Sequence, residues 1–319
     1  MIQSARAEPG RHDEIETFFR ETFTTDNPLI TEAVRRMLAA GGKRLRPRIT
    51  LLAAQTHDAN AQRHLELAAY MELIHVATLI HDDVVDNAQT RRGVNATAID
   101  YGNRISVLAG DYLFAWIFKN VTAQYAPPIP NILSATLAEI CDGEVLQLRS
   151  LGDLALSLND YVEIVTRKTA SLFAASAQCG AIAGGAPPQD IEALRRFGLA
   201  YGVAFQMRDD LLDVTADAAA VGKPVGNDLA ERKMTIPLIL ALQSGNGEFR
   251  GMVERFYAGR EQGAAAVLEG IRASGGVEAT RATIGQYAKR AEDALADLED
   301  TSAKAGLSQL AGDLIEDAS

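Results

Sequence analysis

Two runs of one form, Asp82-Asp83-Val84-Val85-Asp86 and Asp209-Asp210-Leu211-Leu212-Asp213, contain the residues of this chain best suited to chemistry. On a helix, residues i and i+4 stack on one face, so Asp82 pairs with Asp86 and Asp209 with Asp213. Like charges one turn apart repel, and at a helix C-terminus they also oppose the macrodipole. A helix tolerates this when a cation neutralises the pair. Hard carboxylate oxygens at this spacing suit Mg2+, which keeps waters and takes substrate phosphates as its remaining ligands; Mn2+ can use the same donors. One such run alone reads equally well as a solvated acidic helix end. The repetition argues for function, because each run follows apolar helix, Ala77-Thr78-Leu79-Ile80 in one case and Val203-Ala204-Phe205 in the other.

Cations accompany the carboxylates. Gly41-Gly42-Lys43-Arg44-Leu45-Arg46-Pro47 places three in a turn that opens a helix at Pro47, where free backbone donors and the dipole favour an anion. Arg91-Arg92-Gly93 follows the first acidic run. Lys168-Thr169 interrupts a long helical segment, and Lys223 and Lys233 flank the Gly-rich loop Gly222-Lys223-Pro224-Val225-Gly226-Asn227-Asp228. Singly, each is an ordinary surface charge. Grouped beside two carboxylate clusters, they describe a phosphate site. His75 lies two helical turns before Asp82 on the same face, and Gln206 three residues before Asp209. Alone, each reads as a satisfied core residue.

Such groups need rigid helices to hold them. Apolar residues recur at spacings of three and four, as in Leu67, Tyr70, Met71 and Ile74, in Ile132, Thr136 and Ile140, and in Leu194, Phe197 and Tyr201, with no strand alternation. Turn chemistry at Asn27-Pro28, Gly41-Gly42, Gly102-Asn103, Ala126-Pro127-Pro128, Gly152-Asp153, Gly184 to Pro188, Gly222 to Gly226 and Gly245-Asn246-Gly247 divides the chain into roughly a dozen helices. No Ser- or Pro-rich linker divides the 319 residues, so one all-helical domain over 1–319 is expected. The net charge of −11 argues against nucleic acid as a partner and makes any phosphate binding local. Cys141 and Cys179 stand in Ala-rich helical contexts without metal or disulfide spacing, which fits a reducing compartment. Nowhere do about 18 apolar residues run unbroken, and a soluble, cytoplasmic protein is expected.

Taken together, the motifs resemble those of the trans-type (head-to-tail) isoprenyl diphosphate synthases, most closely the medium- and long-chain members. That family carries GGKRLRP, DDxxD followed by RRG, a KT pair, FQxxDDxxD and GKxxGxDL, and all five stand here in the same order between Gly41 and Leu229. The resemblance implies an all-helical bundle around a deep central cavity, normally a homodimer, that condenses isopentenyl diphosphate with an allylic diphosphate. By position, it implies that Asp82 and Asp86 bind two Mg2+ ions, and Asp209 a third with Asp213 in support. It assigns Arg91, Lys168 and Lys233 to the allylic diphosphate, with Lys223 in the adjoining loop, and Lys43, Arg46, His75 and Arg92 to isopentenyl diphosphate. Thr169 and Gln206 match the residues whose oxygens face the allylic cation. So apolar a product implies transient membrane contact on release. This chain departs from the family at Glu231-Arg232-Lys233, where EGK is usual, and in its acidic end, Asp313 to Ser319.

Product length is expected to depend on the helix that carries Asp82. Short-chain members place aromatic residues four or five positions before the first Asp; here Ala77 and Thr78 stand there. A floor could come from the next helix, where Asp111, Phe114 and Phe118 share a face, although plain core packing explains these equally well. The expected product is C30 to C50, with geranylgeranyl diphosphate (C20) as the alternative within the class. Outside it stand a class I terpene cyclase, which the second Asp run and Lys43 with Arg46 disfavour, and a non-catalytic partner subunit of a heteromeric synthase, which intact Asp runs disfavour.

Overall fold

A computed structural model describes residues 9–60, 64–215, 226–244, 247–259 and 263–318. The helices follow the punctuation of the sequence. After α1 (Pro9–Thr22), α2 (Pro28–Ala39) starts where the Asn27 side chain accepts the N–H groups of Leu29 and Ile30, with Pro28 in the first turn, where no donor is needed. The next helix, α3 (Leu45–Gln55), opens two residues before the expected Pro47. Arg44 precedes it in a left-handed conformation (φ 47°), and Pro47 still falls in the first turn, where its missing N–H goes unused. α4 (Leu65–Val85) is buried along most of its length, from Leu67 to Ile80, which explains why its apolar residues occupy more than one face.

One departure from the all-helical expectation follows. β1 (Thr90–Arg91) pairs antiparallel with β2 (Val94–Asn95) around Arg92 and Gly93, both at positive φ. Two residues a side are too few to show alternation in sequence. The helices then resume with α5 (Thr97–Tyr101), α6 (Asn103–Gln124), α7 (Ile129–Arg149) and α8 (Leu158–Val165), the last opened by a capping box between Ser157 and Asp160. The expected interruption at Lys168-Thr169 is a single π-helical turn, Thr166–Ala170, which leads into α9 (Ser171–Ala183). Beyond it come α10 (Pro188–Thr215), α11 (Asn227–Ala230), α12 (Ile236–Ser244), α13 (Gly247–Tyr257), α14 (Ala264–Ala273), α15 (Gly276–Ala294) and α16 (Ser302–Glu316). Among the described residues, no helix is long and apolar enough to cross a membrane.

The chain forms two compact units. The first takes in the chain up to Ser134 with Ala175–Ile191 and Thr301–Ala303; the second takes in Ala135–Ala174, Glu192–Asp300 and Lys304–Ser319. In the first, α4 and α6 pack antiparallel. Near one end the Tyr70 ring meets Trp116 edge-on at 6.0 Å, and near the other the His81 ring meets Phe114 at 5.7 Å. In the second unit, Phe197, Tyr201 and Phe205 stack at i, i+4 spacing along α10 with centroids 5.8 and 6.4 Å apart, and Phe173 of α9 closes on Tyr201 at 5.3 Å. The next rung of that ladder is Asp209, so the packed rings fix the height and direction of the second acidic run.

The π turn is held from outside by α7. A Cβ placed on Gly143 would lie 2.5 Å from the Lys168 backbone nitrogen and 2.8 Å from its Cα, so only glycine lets the two backbones approach. Gly143→Ala is therefore expected to lower unfolding free energy by about 1–3 kcal/mol through overpacking. Gly285→Ala, in the interior of α15 with open space around it, is expected to raise it by about 0.4–1 kcal/mol. Urea denaturation of the two variants beside the parent checks both signs.

Candidate active site

The first acidic run ends α4. Asp86 is its C-cap, donating its backbone N–H to the Asp82 carbonyl at 2.8 Å, and Asn87 then turns the chain at φ 51°. Within the run the three carboxylates divide. Asp82 and Asp86 stay half-exposed, whereas Asp83 is fully buried. The short hairpin brings Arg91 back over Asp83, and both its Nε and Nη2 lie 2.7 Å from Asp83 Oδ1. Burial raises the Asp83 pKa, and the Arg91 charge and hydrogen bond oppose that rise. Arg91, expected to serve only a diphosphate, is thus first a structural partner, with its side chain 27% exposed.

The glycine-rich turn before α3 sits in the same unit. Lys43 is exposed and Arg46 buried, and Arg44 between them turns inward and is no part of the anion site. Arg92, itself at φ 51°, donates from Nη1 to the Gly41 carbonyl, and its guanidinium lies where a Cβ on Gly42 would stand. That contact ties the turn after the first acidic run to the turn before α3. His75 feels this cationic field: burial and then the charges of Arg46, Arg92, Arg91 and Arg44 push its pKa well below the ordinary histidine value. The structure therefore gathers Arg46, His75 and Arg92 around one electropositive locus with a neutral imidazole.

The second acidic run divides in the same way. Asp209 is exposed and Asp210 buried; the latter accepts from Tyr161 Oη at 2.7 Å, from Gln206 Nε2 at 2.9 Å and from the Ile236 N–H at 3.4 Å. Thr169 Oγ1 donates to Gln206 Oε1 at 3.0 Å, so the π turn, α10 and Asp210 form one hydrogen-bonded chain. Asp213 accepts the backbone N–H groups of Asn227 and Asp228 at 3.2 and 3.1 Å and so caps α11. Each of its oxygens thus has one backbone donor.

Lys168 Nζ bonds Gln147 Oε1 at 2.6 Å and pairs with Glu144, while Lys233 Nζ lies 2.6 Å from Glu231. Lys168, Thr169, Gln206, Asp210, Asp228 and Lys233 all line one cavity of about 100 Å³. Lys223 lies outside the described residues. Arg232 adopts φ 62°, a left-handed conformation that glycine takes without strain, which gives a physical reason for the family's usual EGK. Here the Arg232 carbonyl accepts the Gly152 N–H at 2.8 Å and its guanidinium covers the Tyr257 ring at 5.5 Å, holding the turn without glycine. The acidic end also finds a use: Asp317 pairs with buried Arg208 at 2.9 Å, beside Asp209 in sequence.

Of the residues expected to set product length, Ala77 is fully buried and Thr78 half-buried, its hydroxyl donating to the His75 carbonyl. His81 reaches α6 at the Val107 carbonyl (3.1 Å) and Asp111 (3.4 Å), over Gly110, where a side chain would collide with the imidazole. On the same helix the Phe114 ring lies 5.7 Å from the His81 imidazole; Phe114 and Phe118 are half-buried and Asp111 is exposed.

A family model described as Polyprenyl synthetase matches residues 27–273. The chain belongs to that family. Octaprenyl diphosphate synthase of Escherichia coli (strain K12) is 38% identical over 296 residues, covering 91% of this chain and 91% of its own. Heptaprenyl diphosphate synthase component 2 of Bacillus subtilis (strain 168) is 35% identical over 299 residues, 94% of this chain and 86% of its own. Among solved structures, polyprenyl synthase from Caulobacter crescentus CB15, complexed with calcium and isoprenyl diphosphate, superposes with a TM-score of 0.90 at 38% identity, covering 96% of this chain and 94% of that one. The fold is the all-α isoprenoid synthase fold, and the chain is a prenyltransferase.

In this synthase, no three Asp, Glu, His or Cys side chains among the described residues converge into a metal cage. Asp82, Asp86 and Asp209 are the carboxylates left facing outward. Reasoning from sequence missed Tyr161, Gln147 and Glu144, which no motif marks. It also passed over Asp83, Asp210 and Asp228, which stand inside the motifs but were not separated from their neighbours. Asp228 is pushed up to about 8 by burial and by the Asp210 and Asp213 charges, against the pull of Lys233; Asp210 is pushed up to about 6, burial outweighing its hydrogen bonds. Both carboxyls hold their protons more tightly folded than unfolded. Their ionisation therefore destabilises the metal-free protein as pH rises from about 4 towards 8, and the destabilisation fades as pH falls. Calorimetry of the metal-free protein is expected to give a lower melting temperature at pH 8 than at pH 6, with Asp228→Asn flattening the difference; parallel slopes in the two proteins would refute the assignment.

Proposed function

We propose that the chain is a Mg2+-dependent synthase that condenses an allylic diphosphate head to tail, in trans, with isopentenyl diphosphate, and repeats the step to a polyprenyl diphosphate of C30 to C50. The observation that carries this reading is the shared build of the two acidic runs. In each, the middle Asp is buried and held by protein donors while the first Asp is left outward beside cationic or hydrogen-bonded partners. Asp82 and Asp86, and Asp209 with Asp213 in support, would hold Mg2+, which when bound would supply positive charge to the departing diphosphate. The calcium and isoprenyl diphosphate of the Caulobacter structure support a divalent cation in that role.

The residues of the chain then divide the work. Arg91, Lys168 and Lys233, with Lys223, hold the allylic diphosphate and take up charge as its C–O bond breaks. Lys43, Arg46, His75 and Arg92 hold isopentenyl diphosphate without metal, and a neutral His75 donates a hydrogen bond without adding to the crowded positive charge. Gln206 commits its amide nitrogen to Asp210, which leaves Oε1, with the Thr169 oxygen, to face the allylic cation. The isopentenyl double bond attacks that cation, and the proton lost afterwards passes to the released diphosphate, so no protein nucleophile or base is assigned. The enzyme acts as a cytoplasmic homodimer that touches the membrane only in handing over product. The Bacillus relative is named as one component of a synthase, and turnover by the purified chain alone separates the homodimer from that arrangement.

Asp82→Ala is expected to leave the melting temperature unchanged or raised and to slow turnover on the order of a thousandfold, the equivalent of about 4 kcal/mol of lost transition-state stabilisation. Steady-state kinetics with varied Mg2+ measures it, and near-normal turnover by a folded variant would remove the metal assignment.

Octaprenyl and heptaprenyl relatives and the small Ala77 support a long product. Ala77→Phe is expected to shorten it to C15 or C20, since a ring just over one turn before Asp82 would fill the path of the tail, and Phe118→Ala to lengthen it. Reverse-phase chromatography of the dephosphorylated products reads both, with folding checked because overpacking costs about 1–3 kcal/mol. An unchanged distribution in both variants would place the tail elsewhere, and a C20 product from the parent would make the chain a geranylgeranyl diphosphate synthase.

A further inference from the structure

We infer that Glu72 is a positioning residue for the isopentenyl diphosphate half-site, acting through Arg44 to hold the Gly41–Arg46 turn against the helix that carries His75. This rests on the reading of Lys43, Arg46, His75 and Arg92 as that half-site. The turn is an unfavourable piece of backbone. Gly41, Gly42 and Arg44 all have positive φ, at 76°, 152° and 47°, and the last is a conformation that a residue with a Cβ adopts only when its surroundings impose it.

The surroundings do so through the side chain. Every nitrogen of the Arg44 guanidinium is engaged: Nε with Glu16 at 2.7 Å, Nη1 with Glu72 at 2.9 Å, and Nη2 with the Leu38 carbonyl at 2.9 Å. The Phe19 ring lies under its plane at 5.2 Å. The partners come from α1, the end of α2 and α4, so one side chain fixes the turn against three elements. Glu72 differs from Glu16 in kind. Its side chain is 3% exposed, like that of Arg44, whereas Glu16 is 30% exposed.

A buried ion pair of this sort is weak evidence for stability, because desolvation offsets its attraction. Its clearer effect is register. Glu72 stands three residues before His75, one turn along α4, and Arg44 stands between Lys43 and Arg46. Pinning Arg44 to Glu72 therefore fixes how the flanking cations face His75. Glu72 also places one negative charge near Arg92, whose guanidinium meets the same turn at Gly41 and Gly42.

The test compares KM for isopentenyl diphosphate, KM for the allylic substrate, and kcat. Glu72→Gln keeps the shape and an acceptor oxygen but removes the charge. It is expected to raise KM for isopentenyl diphosphate about 10- to 100-fold, the order seen when a contact is misplaced by ~1 Å, with the allylic KM unchanged. A second variant guards against a misfolded single mutant: Glu72→Leu with Arg44→Met replaces the pair by apolar side chains, a change that buried pairs often tolerate. It is expected to fold and to show the same selective rise in KM. Lys43→Ala, run alongside, tests the half-site itself. A rise in Lys43→Ala with parent-like KM in a folded Glu72 variant would overturn the positioning role. Parent-like KM in Lys43→Ala would instead overturn the half-site on which it rests.

Discussion

Carboxylates one turn apart at the negative end of a helix repel each other and the helix that bears them, and much of this structure answers that constraint. The answer is the same in both acidic runs. The middle Asp is drawn inside and held by protein donors, by the Arg91 charge at Asp83 and by the neutral donors Tyr161 and Gln206 at Asp210. The first Asp of each run stays more exposed than the middle one. The buried partners also do positional work. Arg91 can reach Asp83 only if the hairpin folds back, and the hairpin then delivers Arg92 to the Gly41 carbonyl.

The second run depends on packing in a different way. The stacked rings of Phe197, Tyr201 and Phe205 fix α10 up to Asp209, and the π turn, held by the close approach of Gly143, sets Thr169 against Gln206 and Lys168 against Gln147 and Glu144. A π turn carries one more residue than the α-helical turn it replaces and so re-aims the side chains that follow, a common device at functional sites. Asp213 takes part by capping α11, which brings Asp228 and Lys233 to the same cavity. The second acidic run is therefore, in three dimensions, an exposed carboxylate, a buried hub and a cap.

Arg44 and Arg232 show how this chain stabilises turns without glycine. Both take left-handed backbone conformations, and each is held by its own guanidinium, Arg44 by two carboxylates and a carbonyl and Arg232 by the Tyr257 ring. Arg208, paired with Asp317 over the Phe205 ring, gives the acidic end of the chain a structural task beside the second run. These arginines resemble ligand-binding cations in sequence and act as internal braces.

The sequence by itself determined the helical class, the two acidic runs, the cationic turn and the family, because these rest on local periodicity and on residue types at fixed spacing. It placed the interruption at Lys168 correctly and the start of α3 two residues late, since Pro47 marks a helix start without saying where in the first turn it falls. It could not show the short hairpin, which is too brief for a periodic signal, nor which Asp of each run turns inward. That choice is made by tertiary structure: burial of one carboxylate requires donors from elsewhere in the chain, and Arg91 at Asp83, and Tyr161 and the Ile236 N–H at Asp210, become those donors only once the chain has folded back.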